Sequence, residues 1–410
     1  MSFITILFNL LALLYVGRAV QLAVQIVRQW NVLRQEPLTG AKQRLAEQAA
    51  FFVAVPPAVL VHELAHAVAI WLFGGQVVEF GYRVFWGYVV PRGVFTPAQN
   101  WLIAVAGTLG SLAFGAAIWL WLRRNPSRTL RYFGLRAFRF QLYFSLLYYP
   151  IFSLFLPIGD WRTIYDFATT PVLSGVAAAV HAALLLWFWR ADRAGRFEMV
   201  AFDSPAAQAR HTALAAATGN EAAQLAAIDS LRQGGATHQA RRALEAFLIA
   251  FPQSAAGHLQ RALLAVDRQG RIGKETAEAA RQALALGLRD PRQRALAHQL
   301  AATYELERGD GRAAEREMDA ALAGSSDLDA LDPAQRGQLH RLRAQSLRRQ
   351  GRYEDAYREV GEALQWAGAA GQSGLTQALL DERELIEKHA GRDLSALAGQ
   401  EAPASPSPRA

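Results

Sequence analysis

The chain has 410 residues, with 43 Lys and Arg against 35 Asp and Glu and no cysteine. That length admits two or three domains, and the absence of cysteine excludes disulfides and thiolate metal sites. The formal charge of +8 does not indicate nucleic acid. Residues 1–190 hold fifteen basic and six acidic side chains, with the basic excess in short connections between apolar segments, while the remainder is near balance, a membrane-topology pattern.

The first apolar run spans Phe3 to Val27. It lacks a positive leading region and a small-residue cleavage site, so it reads as a retained transmembrane helix rather than a signal peptide. A polar connection over 28–47 leads to a second helix from about Ala46 to Phe73. Pro56-Pro57 are expected to kink it shortly before His62, and Gly74-Gly75 to end it. Within Ala49–Phe73 the only ionisable side chains are His62, Glu63 and His66. Each charge at a helix centre in hydrocarbon costs roughly 2.5–3.5 kcal/mol on insertion scales, so three together call for a function. His62 and His66 are i and i+4, on one helix face, as two ligands of one zinc ion. Glu63 beside them suits a base that takes a proton from a metal-activated water.

Residues 76–96 change period. β-branched and aromatic residues with glycines at 81, 87 and 93 predict one or two β-hairpins, whose edge could pair with an extended substrate. A third helix, about Ala98–Leu122, carries small residues that permit close approach in lipid. An arginine-dense loop over 123–139 precedes a fourth helix, about Phe138–Pro157, and a fifth runs from about Val172 to Trp189. The third ligand is sought among Glu79, Asp160, Asp166 and His181. The second and fourth helices run parallel, and Asp160 follows Pro157-Ile158-Gly159 at the end of the fourth, at a depth similar to His62 and His66. Asp166 lies further out, and His181 reads as a structural residue.

Residues 205–390 are rich in Ala, Leu, Arg and Glu with helical periodicity. Gly235, Gly309 and Gly351 each precede an alanine by five (Ala240, Ala314, Ala356), and Phe247, Ala321 and Ala363 follow seven later. The clearest units are Ala295–Leu322 and Gly337–Trp366, with a degenerate one at Glu221–Pro252 and another at Gly257–Leu286. This pattern resembles the tetratricopeptide repeat, which implies a protein or peptide partner on a concave face. The tail over 396–410 reads as disordered.

The membrane half resembles the site-2 protease family of intramembrane zinc metalloproteases. His62-Glu63-Leu64-Ala65-His66 matches its first motif. Ala106-Gly107-Thr108-Leu109-Gly110-Ser111 looks like its Ala-Gly-Pro-x-x-Asn motif, with Thr for Pro and Ser for Asn. Pro157-Ile158-Gly159-Asp160 looks like its Pro-x-x-Asp, although Trp161 replaces a frequent Gly and Phe152 stands where an Asn often lies. The resemblance implies zinc held by His62, His66 and Asp160, Glu63 as general base, and a substrate that is an unwound transmembrane segment of another protein.

The expected fold is all-α: a polytopic membrane bundle of about five helices with a small β-hairpin insertion (1–195), then a soluble helical repeat domain (196–395). The basic connections at 28–45, at 123–139 and after Trp189 fall on one side by crossing parity, cytoplasmic by the positive-inside rule. The expected setting is a bacterial inner membrane with the repeats cytoplasmic. The competing expectation is a membrane-anchored repeat adaptor with a vestigial or structural metal site.

Overall fold

The computed structural model describes residues 3–84, 86–155, 159–217, 219–323 and 329–399. The chain divides into two compact units, Met1–Ala216 with Ser230–Gln239, and Ala217–Asp229 with Ala240–Ala410. The first is a helix bundle with one small sheet, and the second consists of packed helices, as the all-α expectation requires. Of the tail expected to be disordered over 396–410, residues 396–399 belong to a 3-10 turn (Ser395–Gly399) whose Leu397 packs on the core beside the last helices, and the rest lies outside the described residues.

The first unit begins with α1 (Phe3–Arg28) and a short α2 (Trp30–Arg34), followed by α3 (Gly40–Phe52) and α4 (Val55–Leu72). The proline pair does not kink a continuous helix. It starts a new one, with Pro in the first turn of α4. The reason is local: proline has no N–H to donate and clashes with the carbonyl four residues back, and a first turn removes both penalties. At the other end Gly74 adopts φ +76°, and Gly75 N–H donates to Ile70 O at 2.9 Å, closing the helix.

Among the described residues one antiparallel hairpin follows, β1 (Gln76–Tyr82) and β2 (Gly87–Arg92), pairing Gln76 with Arg92 and Tyr82 with Gly87, with a bulge between Val77 and Glu79. Helix α5 (Pro97–Leu122) opens with a capping box between Thr96 and Gln99. The expected fourth membrane helix takes another form. Helix α6 (Arg128–Tyr143) begins earlier, passes through a π-helical turn (Phe144–Tyr148) and continues as α7 (Tyr149–Phe155). Pro157 and Ile158 of the expected Pro-x-Gly lie outside the described residues, while its Gly159 is described. A five-residue α8 (Asp160–Ile164) and the long α9 (Pro171–Arg193) complete the bundle.

Among the described residues four segments are long and apolar enough to cross a membrane: Leu10–Arg28, Gly40–Leu72, Pro97–Leu122 and Pro171–Arg193. The expected fourth crossing, about Phe138–Pro157, is not among them: that stretch is divided among the end of α6, the π-helical turn and α7, and its last residues lie outside the described ones. The four segments present bare apolar side chains, such as Leu14, Leu72, Trp121 and Val172, the surface of a lipid-associated protein.

The three basic connections meet one another. Ser127 Oγ donates to Leu33 O at 3.1 Å, and Arg128 N–H to Glu36 Oε1 at 2.7 Å. Arg136 pairs with Glu47 at 3.4 Å and Arg139 with Asp192 at 2.7 Å. The 200–202 segment closes on the same end, with Phe202 N–H donating to Leu38 O at 2.8 Å.

In the second unit, helices pack in consecutive pairs, including 255–269 with 274–285, 291–307 with 311–322, and 333–349 with 353–369. The turn glycines Gly309 and Gly351 have φ +84° and +77°, a conformation open to glycine at little cost. Ala314, Ala356 and Ala363 are fully buried, so helices approach to backbone distance where the repeat pattern placed small residues. Part of the insertion after Leu322, residues 324–328, lies outside the described residues.

Candidate metal centre

Helix α4 supplies His62, Glu63 and His66, all buried although charged or polar. Helix α5 packs directly on this face. Its Gly107 makes room for the rings: a Cβ there would lie 2.3 Å from His66 Nε2 and 2.6 Å from His62 Nε2. One turn later, Gly110 lets the two backbones close, since its Cβ would come within 3.0 Å of Val61 O. Asp160 arrives as the first residue of α8, behind Gly159 at φ +115°.

These elements bring three ligand atoms together. His62 Nε2 and His66 Nε2 are 3.1 Å apart, and Asp160 Oδ2 lies 3.0 Å from the first and 3.1 Å from the second. Among the described residues, His62, His66 and Asp160 form the group able to hold a metal ion. The chemistry of the donors fits a cation. His66 Nδ1–H donates to Ile103 O at 2.7 Å, which fixes the tautomer and leaves a lone pair on Nε2. His62 Nδ1 lies 3.1 Å from Ser111 Oγ, and the tautomer that donates to this oxygen leaves its Nε2 in the same state. Two lone pairs and a carboxylate oxygen then face one point. Their separations approach the edge of roughly 3.3 Å expected for a tetrahedron with bonds of about 2 Å.

Glu63 stands apart from this triad but within electrostatic reach of all three members. The hairpin covers it: a Cβ on Gly87 would sit 2.5 Å from Glu63 Cγ and 2.8 Å from its Oε1. A carboxylate near the centre, bounded by strand backbone, is available for proton transfer.

The other candidates for third ligand are engaged elsewhere. Glu79 accepts a hydrogen bond from Tyr88 on the hairpin. Asp166 accepts from the N–H groups of Ala168 and Thr169 at 3.2 and 3.1 Å. His181 is structural: its Nε2–H donates to Leu146 O in the π-turn at 2.7 Å, its Nδ1 meets the Tyr165 hydroxyl, and its ring packs on Trp161.

Compared with known proteins, the chain matches no protein-family model and no curated protein sequence. The site therefore rests on its own geometry. Sequence reasoning missed Tyr149, whose hydroxyl reaches Asp160, and the carbonyl of Ile103. Ser111 had a usable signal, because Gly107 and Ser111 are i and i+4 on one face of α5.

Proposed function

We propose that the protein is an intramembrane zinc metalloprotease of the site-2 protease type, hydrolysing peptide bonds within or next to transmembrane segments. The observation that supports this most is the convergence of His62, His66 and Asp160 beside the separate carboxylate of Glu63, on an otherwise apolar helix. A structural metal site needs no such base.

His62, His66 and Asp160 would hold the ion. A bound zinc ion supplies Lewis acidity and an acidified water at this point. Glu63 accepts the proton from the attacking water and returns it to the leaving amine, a role that contributes typically 10²–10⁴-fold. Ser111 and Ile103 O hold the two imidazoles in the tautomer that offers Nε2. The apolar walls of α4 and α5 limit bulk water, which strengthens each electrostatic contact inside.

The repeat unit would bind a substrate or regulator. A groove of about 540 Å³ lies between its helices, lined by Arg281, Glu305, Arg308, Asp310, Arg316 and Glu317. Its charged lining suits a polar segment of a partner. The proposed setting is a bacterial inner membrane with the repeats cytoplasmic, on the side of the basic connections.

The test is the detergent-solubilised protein with a co-expressed membrane substrate, comparing wild type with Glu63→Ala and Asp160→Ala. Loss of cleavage in both, with zinc retained in Glu63→Ala and lost in Asp160→Ala, supports the protease. Cleavage that persists in Glu63→Ala refutes it and favours the adaptor.

A further inference from the structure

Asp160 is the ligand with the weakest support from its own chain. It opens a helix of five residues and follows a glycine at φ +115°, so its backbone alone does not hold the carboxylate against α4. The support comes from α7. Tyr149 OH donates to Asp160 Oδ2 at 3.0 Å and accepts from the Asp160 N–H at 3.1 Å. One hydroxyl thus grips the residue at both its main chain and its ligand atom. The same helix braces the preceding residue, since a Cβ on Gly159 would lie 2.4 Å from Ser153 Oγ and 3.4 Å from Tyr149 Cε2.

The tyrosine is itself fixed. Its ring stacks on Phe144 at a centroid distance of 5.8 Å and an angle of 6°, and meets the His62 ring edge-on at 5.7 Å. By contrast Phe152, on the same helix, is exposed. Tyr149 therefore belongs to the face of α7 that looks at the centre.

We propose that Tyr149 is the positioning residue of the third ligand, holding Asp160 Oδ2 beside the two histidine nitrogens and so setting the affinity and coordination geometry of the site. This inference rests on the metal-centre reading above. Partners that orient a ligating carboxylate typically govern metal affinity by 10–100-fold. The hydroxyl also occupies one lone pair of Oδ2, which restricts the directions from which that oxygen can bind an ion.

The experiment is chelator competition for zinc on the full-length protein in detergent, comparing wild type, Tyr149→Phe and Tyr132→Phe. Tyr132 is a buried tyrosine whose hydroxyl donates to Glu47, remote from the triad in its partners, and serves as the control. Thermal unfolding of the metal-free proteins checks folding, and the visible absorption of the cobalt-loaded proteins reports ligand geometry. The expected result is zinc affinity roughly 10–100-fold weaker in Tyr149→Phe alone, with a shifted cobalt spectrum and metal-free unfolding close to wild type. Zinc affinity and cobalt spectrum unchanged in Tyr149→Phe overturn the inference and leave the metal centre standing. Absence of zinc binding in wild type overturns both.

Discussion

Replacing Gly107 by alanine tests the packing that makes the site. The added methyl would sit 2.3 Å from His66 Nε2 and 2.6 Å from His62 Nε2, against an ordinary contact of 3.4 Å or more. The rings, or α4 and α5 together, must give by about 1 Å, and overpacking of this kind costs typically 1–3 kcal/mol. Metal bonds to nitrogen of about 2.0–2.1 Å do not tolerate such a shift, so the cost falls on the metal-bound state. Expressed as affinity, it is a loss of roughly 5- to 150-fold. The metal-free fold is affected less, because alanine is favoured over glycine inside a helix by about 0.5–1 kcal/mol. Two controls grade the result. Gly110→Ala presses on Ala65 Cβ at 2.8 Å and Val61 O at 3.0 Å, disturbing the same helix pair without touching a ring, while Gly175→Ala meets nothing within 4 Å. The assay is zinc competition combined with thermal unfolding of the solubilised protein. Zinc affinity should fall most in Gly107→Ala, less in Gly110→Ala and not at all in Gly175→Ala. Wild-type affinity in Gly107→Ala would refute the claim that its missing Cβ makes room for the ligands.

Ser111→Ala should weaken zinc binding by about tenfold or more, because His62 loses the partner that sets its tautomer; metal-free stability should fall by only about 1 kcal/mol. Glu63→Gln should bind zinc at wild-type stoichiometry while cleavage falls at least ~100-fold; a stoichiometric loss of zinc would make Glu63 a ligand instead. In the repeat unit, burial acts to raise the Glu317 carboxyl, but hydrogen bonds from His298 and Arg281 outweigh it and hold it below the usual range. A depressed folded-state value stabilises above the unfolded value of about 4.3 and is lost as pH falls through the folded one. The unfolding difference between wild type and Glu317→Gln should therefore be largest near neutral pH and shrink on acidification. A difference that grows in acid contradicts the assignment.

The parts of the fold that depend on spacing were legible. Two histidines four apart on an apolar helix marked one candidate site, and the structure brings Asp160, reached in sequence by matching depth, beside them. Charge marked the basic connections as one group, and the structure brings them into contact. What escaped depends on tertiary partners. Pro150 has no N–H to give Leu146 O four residues back, and that carbonyl accepts instead from His181, 35 residues later in sequence, a partner the sequence did not announce. Tyr149 looked like one more aromatic in an aromatic stretch. The proline pair was legible as a disturbance, but the sequence did not say whether a kink or a fresh first turn would absorb it. In the repeats, glycine and alanine spacing gave the turns. It did not reveal that His298–Glu317 and His340–Glu359, each 19 residues apart in sequence, form like pairs at 2.9 and 2.8 Å.

The clasp of hydrogen bonds and ion pairs among the basic connections has a mechanical corollary. Apolar helices joined at one end behave as a fan around its pivot, where a small rotation at the clasp becomes a larger lateral displacement further along. His66 stands eleven residues beyond the start of α4, about 16 Å along the axis at 1.5 Å per residue. The centre thus sits out along the lever arm, where a given strain at the hub changes the gap between neighbouring blades more than it does at the hub itself. Loosening the hub, through Arg139 and Asp192 for example, would alter the width of that gap without touching a single ligand.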